Sequence, residues 1–162
     1  MNKDLNELKR KYTELGEEIK RLEEAPKPWP QEGDGVFIIF ADGLIQRYNY
    51  NSENSFFEES IQQGNGFRTR AEAEAEKHYR DVAYKLSQQE GARRFVKGQH
   101  NRGIDYDWEY PHKLYRELRY NKPALKMSIY FDTEQQVKSA IAAVGEQEII
   151  RAIRWKEFGE TS

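Results

Sequence analysis

Gly64-Asn65-Gly66-Phe67-Arg68-Thr69-Arg70-Ala71-Glu72 joins a tight turn to the start of a helix. Its two glycines permit the turn without steric cost. Thr69 is an N-cap, and Glu72 three residues on reaches back to its amide, which makes a capping box. From Arg70 to Glu90, Ala71, Ala75, Tyr79, Val82, Ala83 and Leu86 recur at helical spacing, and Gly91 is the stop. The pattern returns, more weakly, at Tyr130-Phe131-Asp132-Thr133-Glu134-Gln135-Gln136, where Phe-x-Thr again leads into a box, closed by Gln136. Two strand-to-helix units therefore lie in one chain. That describes architecture and not yet chemistry.

Upstream of the first motif, Gln31 to Gly35 is a turn cluster and Val36-Phe37-Ile38-Ile39-Phe40 reads as a strand buried on both faces. Asp42-Gly43 is a hairpin signal, with Leu44 to Tyr50 as the return strand. Asn51 to Gly64 reads as a polar loop with room for a helical turn at Phe56, Phe57 and Ile61. Glu72, Glu74 and Glu76 do not share one face and read as first-turn acids favoured by the helix dipole.

Between the motifs, Arg93 to Lys122 holds eight Lys or Arg against four acids, interleaved with Phe95, Tyr106, Trp108, Tyr110, Tyr115 and Tyr120. Cations for phosphates beside flat rings for bases are the materials of single-strand binding. Arg93, Arg94, Lys97, Arg102, Trp108 and Tyr110 are the candidate binding set; the competing reading is inward-packed rings and solvated charges. Asp105, Asp107 and Glu109 alternate with Tyr106, Trp108 and Tyr110. In a strand this puts carboxylates on one face and rings on the other. The spacing lacks the glycine and distal Glu of a calcium loop, so a solvated face is the expectation and no metal is implied. Gly98 to Gly103 reads as a flexible polar loop suited to a small anion. His112 to Tyr120 fits helix or strand. Leu125, Met127, Ile129 and Phe131 alternate cleanly, so a turn at Asn121-Lys122-Pro123 would pair these two segments as a second hairpin. Val137, Ala140, Ile141 and Val144 stripe the next helix, Gly145 ends it, and Glu146 to Trp155 forms a last one.

At the N-terminus Leu5, Leu8, Tyr12, Leu15, Ile19 and Leu22 fall at spacings of 3, 4, 3, 4 and 3. They form a narrow heptad seam, with Leu5, Tyr12 and Ile19 at a and Leu8, Leu15 and Leu22 at d. Self-association is the expectation; folding back, or another protein's helix, would cover the same seam. Orientation stays open, because a parallel pair sets Asp4 favourably against Lys9 but Glu18 unfavourably against Glu23. Gly16 weakens the helix, and Pro26, Pro28 and Pro30 end it in an extended spacer. The expected organisation is a coiled-coil helix over 1–25, a linker over 26–30, a first ββα unit over 31–91, a second over 92–155 and a tail over 156–162. The fold class is α+β, with antiparallel hairpins packed by helices.

Composition narrows function. Of 162 residues 37% are hydrophobic and 33% charged, the net charge is -2, and there is no cysteine. That excludes a disulfide framework, Cys-ligated metals and thiol nucleophiles, and fits a reducing cytoplasm. No apolar run approaches a membrane span, so no membrane partner is expected. Phosphate-binding glycine loops, serine elbows and H-E-x-x-H are absent. His78, His100 and His112 share no ligand spacing. The reading is a non-enzyme without a cofactor.

Trp29-Pro30-Gln31-Glu32-Gly33-Asp34, the following strand with Asp42-Gly43, and Gly64-Asn65-Gly66-Phe67-Arg68-Thr69 with Ala71-Glu72-Ala73-Glu74, behind a short coiled coil, resemble small uncharacterised accessory proteins encoded by bacteriophages and prophages. Ile129 to Thr133 and Val144-Gly145-Glu146 resemble their second half. The chain departs from that pattern at Glu134-Gln135-Gln136-Val137 and in the basic run around Arg93. The shared motifs are turns and caps, so they carry fold and no catalytic residues. The resemblance implies a host-cytoplasmic protein that binds a host partner, with inhibition of a defence system as the expected role. The alternatives are a nucleic-acid or nucleotide binder, including a nucleotide-signal sponge, and a virion assembly part.

Overall fold

The run Val36-Phe37-Ile38-Ile39 is apolar on both faces of its strand, and both faces are covered. The computed structural model describes residues 2–24, 28–97, 99, 101–107, 113–119 and 129–159. Strand β1 (Gly35–Ile39) is central in the first sheet, between β2 (Ile45–Asn49) and β3 (Gly66–Phe67), both antiparallel to it. The Asp-Gly turn forms as read: Gly43 takes φ 82 and the Leu44 amide donates to Asp42 Oδ1 at 2.9 Å. Val36 and Ile38 meet Phe57 and Tyr50, with Trp29, Phe40, Tyr48 and Ile61 around them. Phe57 and Ile61 belong to α2 (Ser55–Gln62), a longer helix than the single turn for which the polar segment had room. Asn54 starts this helix by accepting from the Phe56 amide at 3.1 Å. The two apolar side chains, four residues apart, then give α2 one buried face. Trp29 is half-buried against this core with the Arg68 guanidinium 5.4 Å from its ring centroid, and the Trp29-Pro30 peptide is cis.

The opposite face, carrying Ile39, lies towards α3 (Arg70–Ser87). The capping box is complete: Thr69 N donates to Glu72 Oε2 at 2.9 Å, and Glu72 N to Thr69 Oγ1 at 3.1 Å. The buried stripe starts one step round from the expected one, with Ala73 and Glu76 buried and Ala71 exposed, before Val82 and Leu86.

The second unit repeats the first. Strand β4 (Asn101–Asp107) is central, with β5 (Lys113–Arg119) on one side and β6 (Tyr130–Phe131) on the other, all pairings antiparallel. Helix α4 (Glu134–Val144) follows, with Thr133 N donating to Gln136 Oε1 at 3.0 Å and Gln136 N to Thr133 Oγ1 at 3.2 Å. In each unit the first strand of a hairpin sits in the middle, receives a short third strand, and a Phe-x-Thr cap turns the chain into a helix. This order corrects two expectations. The second hairpin is β4–β5, and among the described residues β6 pairs with β4 rather than with β5. The supposed Gly98–Gly103 loop is half strand, since Asn101 to Gly103 already pair with Glu117 to Arg119. Most of the alternating run from Leu125, including Leu125 and Met127, lies outside the described residues.

Gly145 ends α4 and opens α5 (Glu146–Phe158). Ile149, Ile150 and Ile153 from α5 join Val137 and Ala140 from α4, and Ile104, Leu114 and Phe131 from the sheet, around Val82 and Leu86. Helix α3 is thus shared, its first half on the first sheet and its second half in the second core.

Gly91 brings the chain out of α3 with φ 77, and a Cβ there would lie 2.3 Å from Gln136 Nε2. Gly91→Ala therefore carries left-handed strain and displaces a capping-box side chain. It is expected to destabilise by about 2 kcal/mol, a fall in Tm of roughly 4–8 °C by thermal denaturation.

The N-terminal helix α1 (Asn2–Glu24) forms as read. Tyr12 and Leu15 on its seam are 80% and 61% exposed, so the described part of the seam is not laid on the body of the protein.

Candidate functional site

Arg93 and Arg102, half of the described basic set, converge on Asp132. Arg93 ion-pairs with Asp132 at 2.6 Å and donates to Asn101 Oδ1 at 2.7 Å. Its backbone exchanges two 2.9 Å hydrogen bonds with Tyr130, extending the sheet by one residue beyond β6. Arg102 donates to the Asp132 carbonyl. Asn101 is fully buried: Oδ1 also accepts from the Val96 amide at 3.0 Å, and Nδ2 donates to the Val96 and Gln99 carbonyls at 2.7 and 2.8 Å. Phe95 packs edge-on against buried Tyr130, ring centroids 5.5 Å apart. These contacts fold residues 93–97 and Gln99 over the second sheet. Arg94 and Lys97 remain exposed on that segment. Trp108 and Tyr110, like His100, His112 and Glu109, lie outside the described residues. Among the described residues no three His, Asp or Glu side chains are placed to hold a metal ion, and no helix is long and apolar enough to cross a membrane.

A second cluster joins α3 to α5. Glu76, expected as a first-turn acid favoured by the helix dipole, is only 6% exposed. Its Oε1 accepts from Arg80 Nε at 3.0 Å, and its Oε2 accepts from Trp155 Nε1 at 3.1 Å and Lys156 Nζ at 2.6 Å. Arg80 also donates to Asn65 Oδ1 and the Gly64 carbonyl, both at 2.7 Å, tying the turn of the first motif to the helix it launches. Burial pushes the Glu76 carboxyl up, but hydrogen bonds from Lys156, Trp155 and Arg80 outweigh it and hold Glu76 below the ordinary glutamate range. Burial, and then the Glu76 charge, push the Tyr79 phenol up, while Lys156 Nζ lies 4.7 Å from the Tyr79 ring centroid. A cleft of about 500 Å³ opens beside the cluster, between Phe67, Arg80 and Trp155. Every polar atom of Glu76 has a partner, so the cluster is a clamp rather than an acid poised for proton transfer. His78 is a second tie: Nε2 lies 3.1 Å from the Glu148 carbonyl and Nδ1 3.2 Å from Arg151, which fits the tautomer protonated at Nε2.

The third feature is apolar. Phe40, Tyr48 and Phe56 form a triangle on the α2 face of the first hairpin, with centroids 6.2 to 6.4 Å apart. Leu44, bonded through its carbonyl to the Phe40 amide at 2.9 Å, stands beside them. Leu44 is 50% and Phe56 40% exposed. Alternation puts Phe40, Leu44 and Tyr48 on the α2 side of the sheet, where Phe56 of α2 packs on Phe40 and Tyr48 and leaves Leu44 and its own outer edge exposed. Sequence reasoning placed the residues but not the patch. The signal was Leu44 sharing a face with Tyr48, next to two adjacent phenylalanines in a polar segment.

No protein-family model, curated protein or solved structure matches this chain.

Proposed function

We propose that the chain works by binding rather than catalysis, as a phage accessory protein that docks on a host protein, with a defence complex as the target. The patch of Phe40, Leu44, Tyr48 and Phe56 carries this reading. Aromatic side chains contribute large contact area at low entropic cost and are enriched at interface centres. The resemblance to phage accessory proteins supplies the setting. Use of Arg93 and Arg102 in internal contacts weighs against a phosphate-binding surface built from the whole basic run. Exposed Arg94 and Lys97 support the second reading, nucleic-acid or nucleotide binding.

The test is a tagged pull-down from host lysate, with nuclease-treated and untreated halves, comparing the wild type with Leu44→Ser/Phe56→Ser. One host protein in both halves, reduced at least tenfold by the double variant with circular dichroism unchanged, is the expected result. Recovered nucleic acid, lost on nuclease treatment and sensitive to Arg94→Ala/Lys97→Ala and to salt, would establish the second reading instead.

A further inference from the structure

We infer that two copies of this chain pair through α1 in antiparallel orientation, with Lys11 of each copy facing Glu18 of the other. The two seam residues whose side chains are described, Tyr12 and Leu15, are 80% and 61% exposed. A hydrophobic seam left open on a helix three heptads long requires a cover. Laid against its own reverse, the seam sets each a position beside a d: 5 with 22, 8 with 19, and Tyr12 with Leu15. One two-fold axis thus covers the seam with a second copy and nothing else.

Charge chooses the direction. A parallel pair sets the g positions of one helix against the e positions five residues on in the other. Asp4 then meets Lys9, Lys11 meets Gly16 and Glu18 meets Glu23, so two attractive contacts are offset by two repulsive ones. An antiparallel pair sets g against g and e against e. Lys11 then meets Glu18 twice, Lys9 meets Gly16, Asn2 meets Glu23, and no like charges are opposed. Within one chain Lys11 and Glu18 already make exposed i,i+4 and i,i+3 pairs, with Glu7 at 3.3 Å and Arg21 at 2.6 Å. These hold the heads beside the seam without removing them from solvent. Because the body follows the C-terminal end of α1, this pairing places the two bodies at opposite ends of a rod of about 35 Å.

The experiment is sedimentation equilibrium of the full chain at low ionic strength, for the wild type, Lys11→Glu, Glu18→Lys and the exchanged double variant. Each single change turns two attractive contacts into two repulsive ones and is expected to weaken the dimer about tenfold. The double variant is expected to recover wild-type affinity. It carries both local helix losses, so recovery isolates the contact between copies. Tighter pairing of Glu18→Lys, with Lys11→Glu unchanged, is the parallel outcome and overturns the orientation. No change in any variant overturns the contact, and a wild type that stays monomeric at all concentrations overturns the pairing itself.

Discussion

Glu76→Ala is expected to destabilise the protein by about 2–3 kcal/mol, measured by urea denaturation followed by circular dichroism. Removing one member of a buried ion cluster strands the others: Lys156 and Arg80 lose their counter-charge and the Trp155 indole N–H loses its acceptor. The upper end of the range for such losses does not apply, because the Lys156 and Arg80 side chains are partly exposed and regain water. Glu76→Gln keeps the shape and one acceptor oxygen, and is expected to lose about half as much. The pH dependence has a definite sign. Glu76 titrates lower in the folded than in the unfolded chain, so below the unfolded glutamate value of about 4.3 the unfolded chain binds the extra proton. The stabilisation is complete above that value and is lost as pH falls through the folded one. The gap between wild type and Glu76→Ala should therefore narrow in acid. A gap that holds constant down to the acid transition would show that Glu76 acts through packing and not through its charge.

That cluster also marks where the sequence stops being legible. Both capping boxes, the Asp-Gly hairpin and the two-unit plan follow from local chemistry, and each closes within a few residues. Glu76 looks like Glu72 and Glu74 in sequence. What separates them is the approach of α5 from seventy-nine residues away, which brings Trp155 against one carboxylate oxygen. The order of the second sheet was hidden for a similar reason. Alternation shows that a segment is a strand and which face is apolar, but not which neighbour it pairs with. A chain with two similar units offers a further clue: the first unit's visible hairpin, with its third strand on the far side of β1, is the template for the second. The basic run stayed open between its two readings because phosphate-binding arginines and arginines that clamp a loop look alike until Asp132 and Asn101 are placed beside them.

Asn101→Ala is the second large loss, expected at about 3 kcal/mol. The side chain is fully buried and its two polar atoms make four hydrogen bonds, with Arg93, Val96 twice and Gln99. Alanine leaves the Val96 amide and two carbonyls without these partners, and each group that water does not reach carries its own desolvation penalty. Asn101→Asp tests the same geometry by another route. It keeps the shape and the acceptor facing Arg93 and Val96 but turns a lone-pair oxygen toward the Val96 and Gln99 carbonyls. It should be at least as damaging as alanine despite the nearby Arg93 cation. Native-state hydrogen exchange should show residues 93–97 opening first in both variants, because the asparagine fastens that segment to the sheet. A loss below 1 kcal/mol, with exchange in 93–97 unchanged, would show that the segment is held by Phe95 on Tyr130 instead. The result also governs how the basic run is probed. If Asn101 and Arg93 form one clamp, Arg93→Ala weakens any binding by loosening the fold. Arg94→Ala and Lys97→Ala are then the changes in this segment that report on a nucleic-acid surface.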